Sequence, residues 1–214
     1  MKILGALVCF VAGCLAQQPH PCESPPLMSG ELTISTQNEK LWVYAKYLYD
    51  AQGQRVRLYE YGTMENKTFT FDFLLHYKEQ VMYDIKDHER TCTKSPLKVD
   101  FMPMAIPKDA SLLGQIVLGS SSGPGQGLLV NAWTGDLPNK LGKFLATVTE
   151  FGCFPVSNAF HTDQFGWMLT SYFNNNIGIS DPTQLDPPSF CPSTDVTDGD
   201  EEPVDFFTLF FRKK

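Results

Sequence analysis

The chain has 214 residues, with 17 Lys and Arg against 24 Asp and Glu, and it carries 16 Phe, 8 Tyr and 3 Trp. A formal net charge of −7 argues against a nucleic-acid binder, which would show a basic face, and against docking on an anionic membrane surface by charge alone. At 43% hydrophobic and 19% charged residues the chain is not disordered as a whole, and its length suits one large all-β domain or at most two small ones.

Met1-Lys2 is followed by the uncharged apolar run 3–16, which closes on Cys14-Leu15-Ala16. The run is too short to span a bilayer and ends in small residues. Residues 1–16 are therefore expected to be a secretory signal peptide, and no transmembrane segment is expected. Val11-Ala12-Gly13-Cys14 also fits a bacterial lipobox, but the signal would then be very short. Cleavage removes Cys9 and Cys14 and leaves Cys22, Cys92, Cys153 and Cys191. An even number in a secreted chain reads as two disulfides. No pair has C-x-x-C spacing, which argues against a thiolate metal site, and all three connectivities stay open on residue pattern alone.

Beyond the signal, period two dominates. Strand-like runs cover 41–49, 55–60, 69–77, 81–85, 114–118, 128–133, 144–151 and 165–173, with turns at 50–53, 78–80 and 134–136. The clearest run sets Phe69, Phe71, Phe73, Leu75 and Tyr77 on one face and Thr70, Asp72, Leu74 and His76 on the other, as in a half-buried strand. Segment 98–111, with Pro103 and Pro107, is expected to cross between sheets. A short helix is expected near 182–185 and irregular chain from 187. Eight or more strands without interleaved helices predict an all-β fold over residues 17–191, an antiparallel sandwich or open barrel. Residues 192–214 form a separate tail, acidic at first and then Phe-rich.

Little in the chain points to catalysis. The stretch 119–127 lacks the Gly-Lys-[Ser/Thr] ending of a phosphate loop and reads as a hairpin loop. His20, His76, His88 and His161 show no metal-ligand spacing and read as scattered surface residues, and no Ser sits in a G-x-S-x-G elbow. No nucleophile, base and orienting group come together, so no catalytic residue is expected. Asn66-Lys67-Thr68 is the only N-x-[ST] sequon and marks Asn66 for glycosylation. Asp195, Asp198, Asp200, Glu201 and Glu202 invite calcium. Aligning Gly199 with the EF-hand glycine puts Thr194 and Val196 at ligand positions, so weak association with a solvated tail is the most that is expected.

The aromatic content has two readings. It is either a packed sandwich core or the lining of an apolar cavity able to take an acyl chain. Candidate pocket residues are Phe71, Phe73, Leu75, Tyr83, Ile85, Val130, Trp167, Leu169 and Phe173, with Leu128 and Phe165 beside them. Each methylene entering such a cavity contributes about 0.8 kcal/mol, so a lipid tail needs no specific polar contact.

Several segments, in order, resemble the ependymin family. They are Pro21-Cys22, Gln80-Val81-Met82-Tyr83-Asp84-Ile85 leading to Cys92, and Ile106-Pro107-Lys108-Asp109-Ala110. Further along come Gly114-Gln115 through Leu118-Gly119-Ser120 with Trp133, Cys153-Phe154-Pro155-Val156, and Asp181-Pro182 followed by Pro187-Pro188 and Cys191. The resemblance implies a secreted, glycosylated, non-enzymatic homodimer of extracellular fluid and matrix. Its fold would be two stacked antiparallel sheets forming a half-open barrel with a deep apolar pocket, similar to bacterial lipoprotein carriers. A lipid or other hydrophobic ligand, calcium association, and the pairings Cys22–Cys153 and Cys92–Cys191 are implied as well. Mammalian-type members have a third bridge, for which this chain has no mature cysteines. The alternative left open is a calcium-dependent adhesion protein that meets extracellular-matrix components and has no functional lipid pocket.

Overall fold

Alternating apolar and polar residues build the molecule almost entirely from antiparallel strands. The computed structural model describes residues 18–65, 67–136, 142–162 and 166–192. Its strands are β1 Leu27–Thr36, β2 Leu41–Asp50, β3 Arg55–Met64, β4 Lys67–His76, β5 Val81–Lys86 and β6 Thr91–Pro96, then β7 Ser111–Gly119, β8 Gly127–Asp136, β9 Lys143–Thr149, β10 Pro155–Thr162 and β11 Gly166–Ile177. Short 3-10 turns lie at Asp87–Glu89 and Pro182–Leu185. The second answers the helix expected near 182–185, with Asp181 Oδ1 capping the Thr183 N–H.

The strands hydrogen-bond in the order β6-β5-β4-β3-β2-β1-β11-β10-β9-β8-β7, one continuous antiparallel sheet that does not close. Two meanders, β1–β6 and β7–β11, join where β1 pairs with β11, for example Leu32 with Tyr172 and Ile34 with Thr170. Five strand spacings separate β3 from β9, about 24 Å in a flat sheet. Val56 of β3 and Val148 of β9 nevertheless border one cavity, so the sheet is rolled and its halves face each other. β1, β6 and β10 add to the runs visible in the sequence. Their Ser- and Thr-rich stretches show weak alternation, and pairing with stronger neighbours makes them strands.

Residues that point inward along β2, β3 and β4 (Leu41, Val43, Ala45, Tyr47, Tyr49; Val56, Leu58; Phe73, Leu75) join Met28, Leu32 and Ile34 of β1 in the principal core. Gly62 is required in this layer, because a Cβ there would run into the Trp42 carbonyl and the Phe69 ring. Phe160 of β10 and Met168 of β11 complete the core from the second half. Segment 97–110 leaves edge strand β6, crosses the open side and enters the opposite edge strand β7, as the prolines predicted. Leu97 is fully buried on the way.

The outer face of β3–β5 is not the wet face the alternation implied. Leu74, Tyr83 and Ile85 are buried there with Leu185, and Phe190 packs beside them. Disulfide Cys92–Cys191 pins this C-terminal segment to β6, and Arg57 fastens it by donating to the Gln184 carbonyl at 2.6 Å while holding Asp72 through two bonds. His76, read as a surface residue, is buried with its Nε2 2.8 Å from the Leu185 carbonyl. A segment distant in sequence covers this face, so local periodicity gives no warning of it.

Candidate functional site

Under the crossing segment lies a cavity of about 650 Å³. Tyr49, Val56 and Tyr77 form one wall, and Ala146, Val148, Pro155, Asn158 and Tyr172 form the other. The roof runs from Lys98 to Ile106 and is rich in apolar side chains, with Val99, Phe101, Met102, Pro103, Met104 and Ile106. Apart from one isolated bridge between Ala105 and Glu23, the described roof pairs with no strand, and side-chain anchors help to hold it. Phe101 stacks on Tyr49 and meets Tyr77 edge-on, and the Tyr49 hydroxyl accepts the Met104 N–H at 2.9 Å. On the far side Ser24 donates its N–H to the Met104 carbonyl, and Ile106 donates to the Cys22 carbonyl. Disulfide Cys22–Cys153 ties that strip to the β9–β10 turn. Both disulfide pairings are those the family resemblance implies.

Polar groups in the walls are few. Asn158 Nδ2 donates to the Tyr172 hydroxyl at 3.2 Å, and burial pushes the Tyr172 phenol up to about 12, less the opposing effect of the Asn158 amide. Lys98 and Asp100 lie exposed on the roof. Away from the cavity, Glu60 of β3 is buried opposite Ala45 and Phe71. Among the described residues neither of its carboxyl oxygens has a hydrogen-bond partner. Burial, with Asp84 adding repulsion, pushes this carboxyl up to about 8. Among the described residues no three His, Cys, Asp or Glu side chains are grouped to hold a metal ion.

The residues expected to line a pocket do not border this cavity. Phe71, Phe73 and Leu75 face inward as expected, but they belong to the packed core beside it. Tyr83 and Ile85 lie on the outer face, because Leu74 pairs with Tyr83 and Leu75 with Met82, so Met82 is the inward residue. Val130 is buried on the face of β8 opposite Trp133. Trp167, Leu169 and Phe173 are 38%, 45% and 43% exposed, while the alternate set Met168, Thr170 and Tyr172 points inward. Both sets include apolar residues, and a strand offset by one residue exchanges its faces. Asn66, Phe165 and the acidic residues Asp195, Asp198, Asp200, Glu201 and Glu202 lie outside the described residues, as does segment 1–16, expected to be a signal peptide. The roof and the Asn158–Tyr172 wall were missed. The dense Met-Pro-Met of 102–104 was the available signal, an apolar cluster in chain that cannot be a strand.

An open, rolled antiparallel sheet with an apolar cavity beneath a crossing segment defines the class of protein. The ependymin family model matches residues 65–191, and the chain belongs to the ependymin family. Ependymin-2 of Carassius auratus is 30% identical over 210 residues, covering 95% of this chain and 97% of the relative. Mammalian ependymin-related protein 1 of Mus musculus is 30% identical over 179 residues, covering 81% and 77%. Among solved structures, a LolA-superfamily protein of Nitrosomonas europaea is matched over 78% of this chain and 92% of its own, at 8% identity and a TM-score of 0.34.

Proposed function

We propose that this chain is a secreted, non-enzymatic glycoprotein that holds a lipid or other hydrophobic ligand in the cavity under the 98–106 roof. The observation that carries the reading is the cavity itself: about 650 Å³, within the range typical of small-molecule sites, and walled mainly by aliphatic, aromatic and methionine side chains. Two disulfides closing long loops support an oxidising, extracellular destination, in line with the signal-like residues 1–16 and the sequon at Asn66. Calcium association is assigned to the acidic residues 195–202. Denaturing extraction of the purified secreted protein followed by lipid mass spectrometry tests the carrier reading. A stoichiometric lipid supports it. A lipid-free protein that also fails to take up a fluorescent fatty acid overturns it.

One observation favours a partner as well. Leu145 of β9 and Trp167, Leu169 and Phe173 of β11 form a half-exposed apolar face on the outside of the second half. Ile116, Leu118 and Leu128 of the β7–β8 hairpin extend it. Patches of this kind mark interaction surfaces, and a second copy of the chain, related by a two-fold axis, is the occupant proposed here. The adhesive alternative uses the same face for matrix components. Sedimentation of the pure protein separates the two, since the homodimer needs no other molecule.

A further inference from the structure

Two places on the inward face of β10 and β11 are polar: Asn175, which is satisfied by the Tyr47 hydroxyl and the Pro155 carbonyl, and one cluster that is not. Asn158 lies directly opposite Thr170 across the two strands, a placement that brings the Cβ atoms to about 5 Å. Tyr172 follows on the same face, and its hydroxyl accepts from Asn158 Nδ2 at 3.2 Å. The hydrogen bonding stops there. Among the described residues Asn158 Oδ1 is buried without a partner, and so is Oγ1 of Thr170, a residue with no exposed surface. The Tyr172 hydroxyl accepts from the amide, and among the described residues its own proton meets no acceptor. Reversing the amide changes which atoms are left over but not the outcome: Tyr172 would then donate to the oxygen, and the Asn158 NH₂ would lack an acceptor. Either way the cluster offers at least one unused donor and one unused acceptor, with the Thr170 hydroxyl able to act as either. Buried polar groups are almost always satisfied, so three neighbours left open together mark a place where a polar group arrives from outside. Asn158 and Tyr172 both border the cavity. The Asn158 oxygen is turned away from the open space, and rotation about the broad terminal torsion of the amide brings it round.

The chemistry of the cluster selects what it receives. No charged side chain stands in this wall; the charged residues bordering the cavity, Lys98 and Asp100, lie on the exposed roof. An ionised carboxylate, sulfate or phosphate brings acceptors only and would have to leave water without a compensating cation. A hydroxyl brings a donor and an acceptor together and matches both open groups. From this geometry we infer that Asn158, Thr170 and Tyr172 form a head-group seat for a neutral, hydroxyl-bearing lipid such as a fatty alcohol or monoacylglycerol. The head enters first and the tail lies beneath Phe101 and Met104. This assignment rests on the cavity being the ligand site proposed above.

The test uses one tail with three ends. Oleyl alcohol, oleyl sulfate and octadecene compete with an apolar fluorescent probe on the full secreted protein, with Tyr172→Phe and Thr170→Val beside the wild type. Oleyl alcohol is expected to bind the wild type more tightly than oleyl sulfate. Tyr172→Phe is expected to weaken the alcohol by about tenfold, the value of one hydrogen bond, and to leave octadecene unchanged. Thr170→Val weakens the alcohol too, yet raises the melting temperature of the ligand-free protein, because the hydroxyl it removes has no partner. Equal binding of alcohol and sulfate, or variants that weaken alcohol and octadecene alike, overturns the head-group seat while the cavity reading stands. Failure of all three compounds to displace the probe from the wild type overturns both.

Discussion

Phe101 of the crossing segment lies stacked on Tyr49 of β2, ring centroids 5.9 Å apart, and this pair holds the cavity roof against the sheet. The roof has few ladder bonds, so its position depends on this ring and on the Tyr49 hydroxyl that accepts the Met104 N–H. Phe101→Ala is expected to lower stability by about 2 kcal/mol, less than a fully buried phenylalanine would cost, and to speed release of a bound apolar probe. Tyr49→Phe keeps the stack and loses one hydrogen bond, about 1 kcal/mol. Stopped-flow probe release with denaturant titration on both variants checks the ordering. Equal release rates in Phe101→Ala and wild type would detach the roof from ligand retention.

Glu60 makes stability depend on pH in the direction opposite to most carboxylates. Its folded value is about 8 against a usual 4.5, because burial and the neighbouring Asp84 favour the protonated form. Below about 4.5 both states hold the proton, and the contribution is fully present. As pH rises toward 8 the unfolded chain ionises and the folded one does not, so stability falls by up to about 1.4 kcal/mol per pH unit. Glu60→Gln removes this slope. The difference in unfolding free energy between variant and wild type is therefore expected to shift steadily in favour of the variant from pH 5 to pH 8. A constant offset between the two curves would show that Glu60 titrates normally.

The outer apolar face of β9–β11 gives a separable expectation. Leu169 is 45% exposed, so Leu169→Glu should change monomer stability by no more than about 0.5 kcal/mol. Placed in the centre of a two-fold contact, the same charge meets its own copy. Sedimentation equilibrium is expected to show a dimer for the wild type and a monomer for Leu169→Glu. A wild-type monomer at high concentration would leave this face to a different partner.

The all-β class, the β4–β5 hairpin and the crossing of segment 98–111 were legible because they rest on local signals: the Phe69–Tyr77 alternation, a short polar turn, and prolines that interrupt a ladder. Which side of a strand faces the interior was legible only where one face is mainly polar. β4 meets that condition over Phe69 to Leu75. β11 does not, since Trp167, Leu169 and Phe173 are as apolar as Met168 and Tyr172, and the inward set includes Thr170. Tyr83 was misplaced for a different reason. β5 is apolar on both sides because its outer face is covered by chain a hundred residues later in the sequence, a contact that no local period encodes. The cavity wall was missed for the same reason: Asn158 and Tyr172 come together only through the β10–β11 register, which no local period encodes.

That distant cover is the last feature to test. Leu185 and Phe190 lie over Leu74, Tyr83 and Ile85, and two ties hold them there. Arg57 is one; it is buried, paired with Asp72, set over the Tyr59 ring and bonded to the Gln184 carbonyl. Cys92–Cys191, spanning 99 residues, is the other. Loop closure of that length contributes about 4–5 kcal/mol on the chain-entropy model. Replacing both cysteines by Ala is expected to cost most of that amount in denaturant unfolding and to make residues 179–191 the first site of limited proteolysis. Arg57→Leu leaves the bridge intact while stripping Asp72 of its partner, so it should lower stability without early cleavage in that segment. Cleavage at equal rates in the double-Ala variant and the wild type would mean that Arg57 and apolar packing hold the cover without the bridge, and that the disulfide acts only on the unfolded chain.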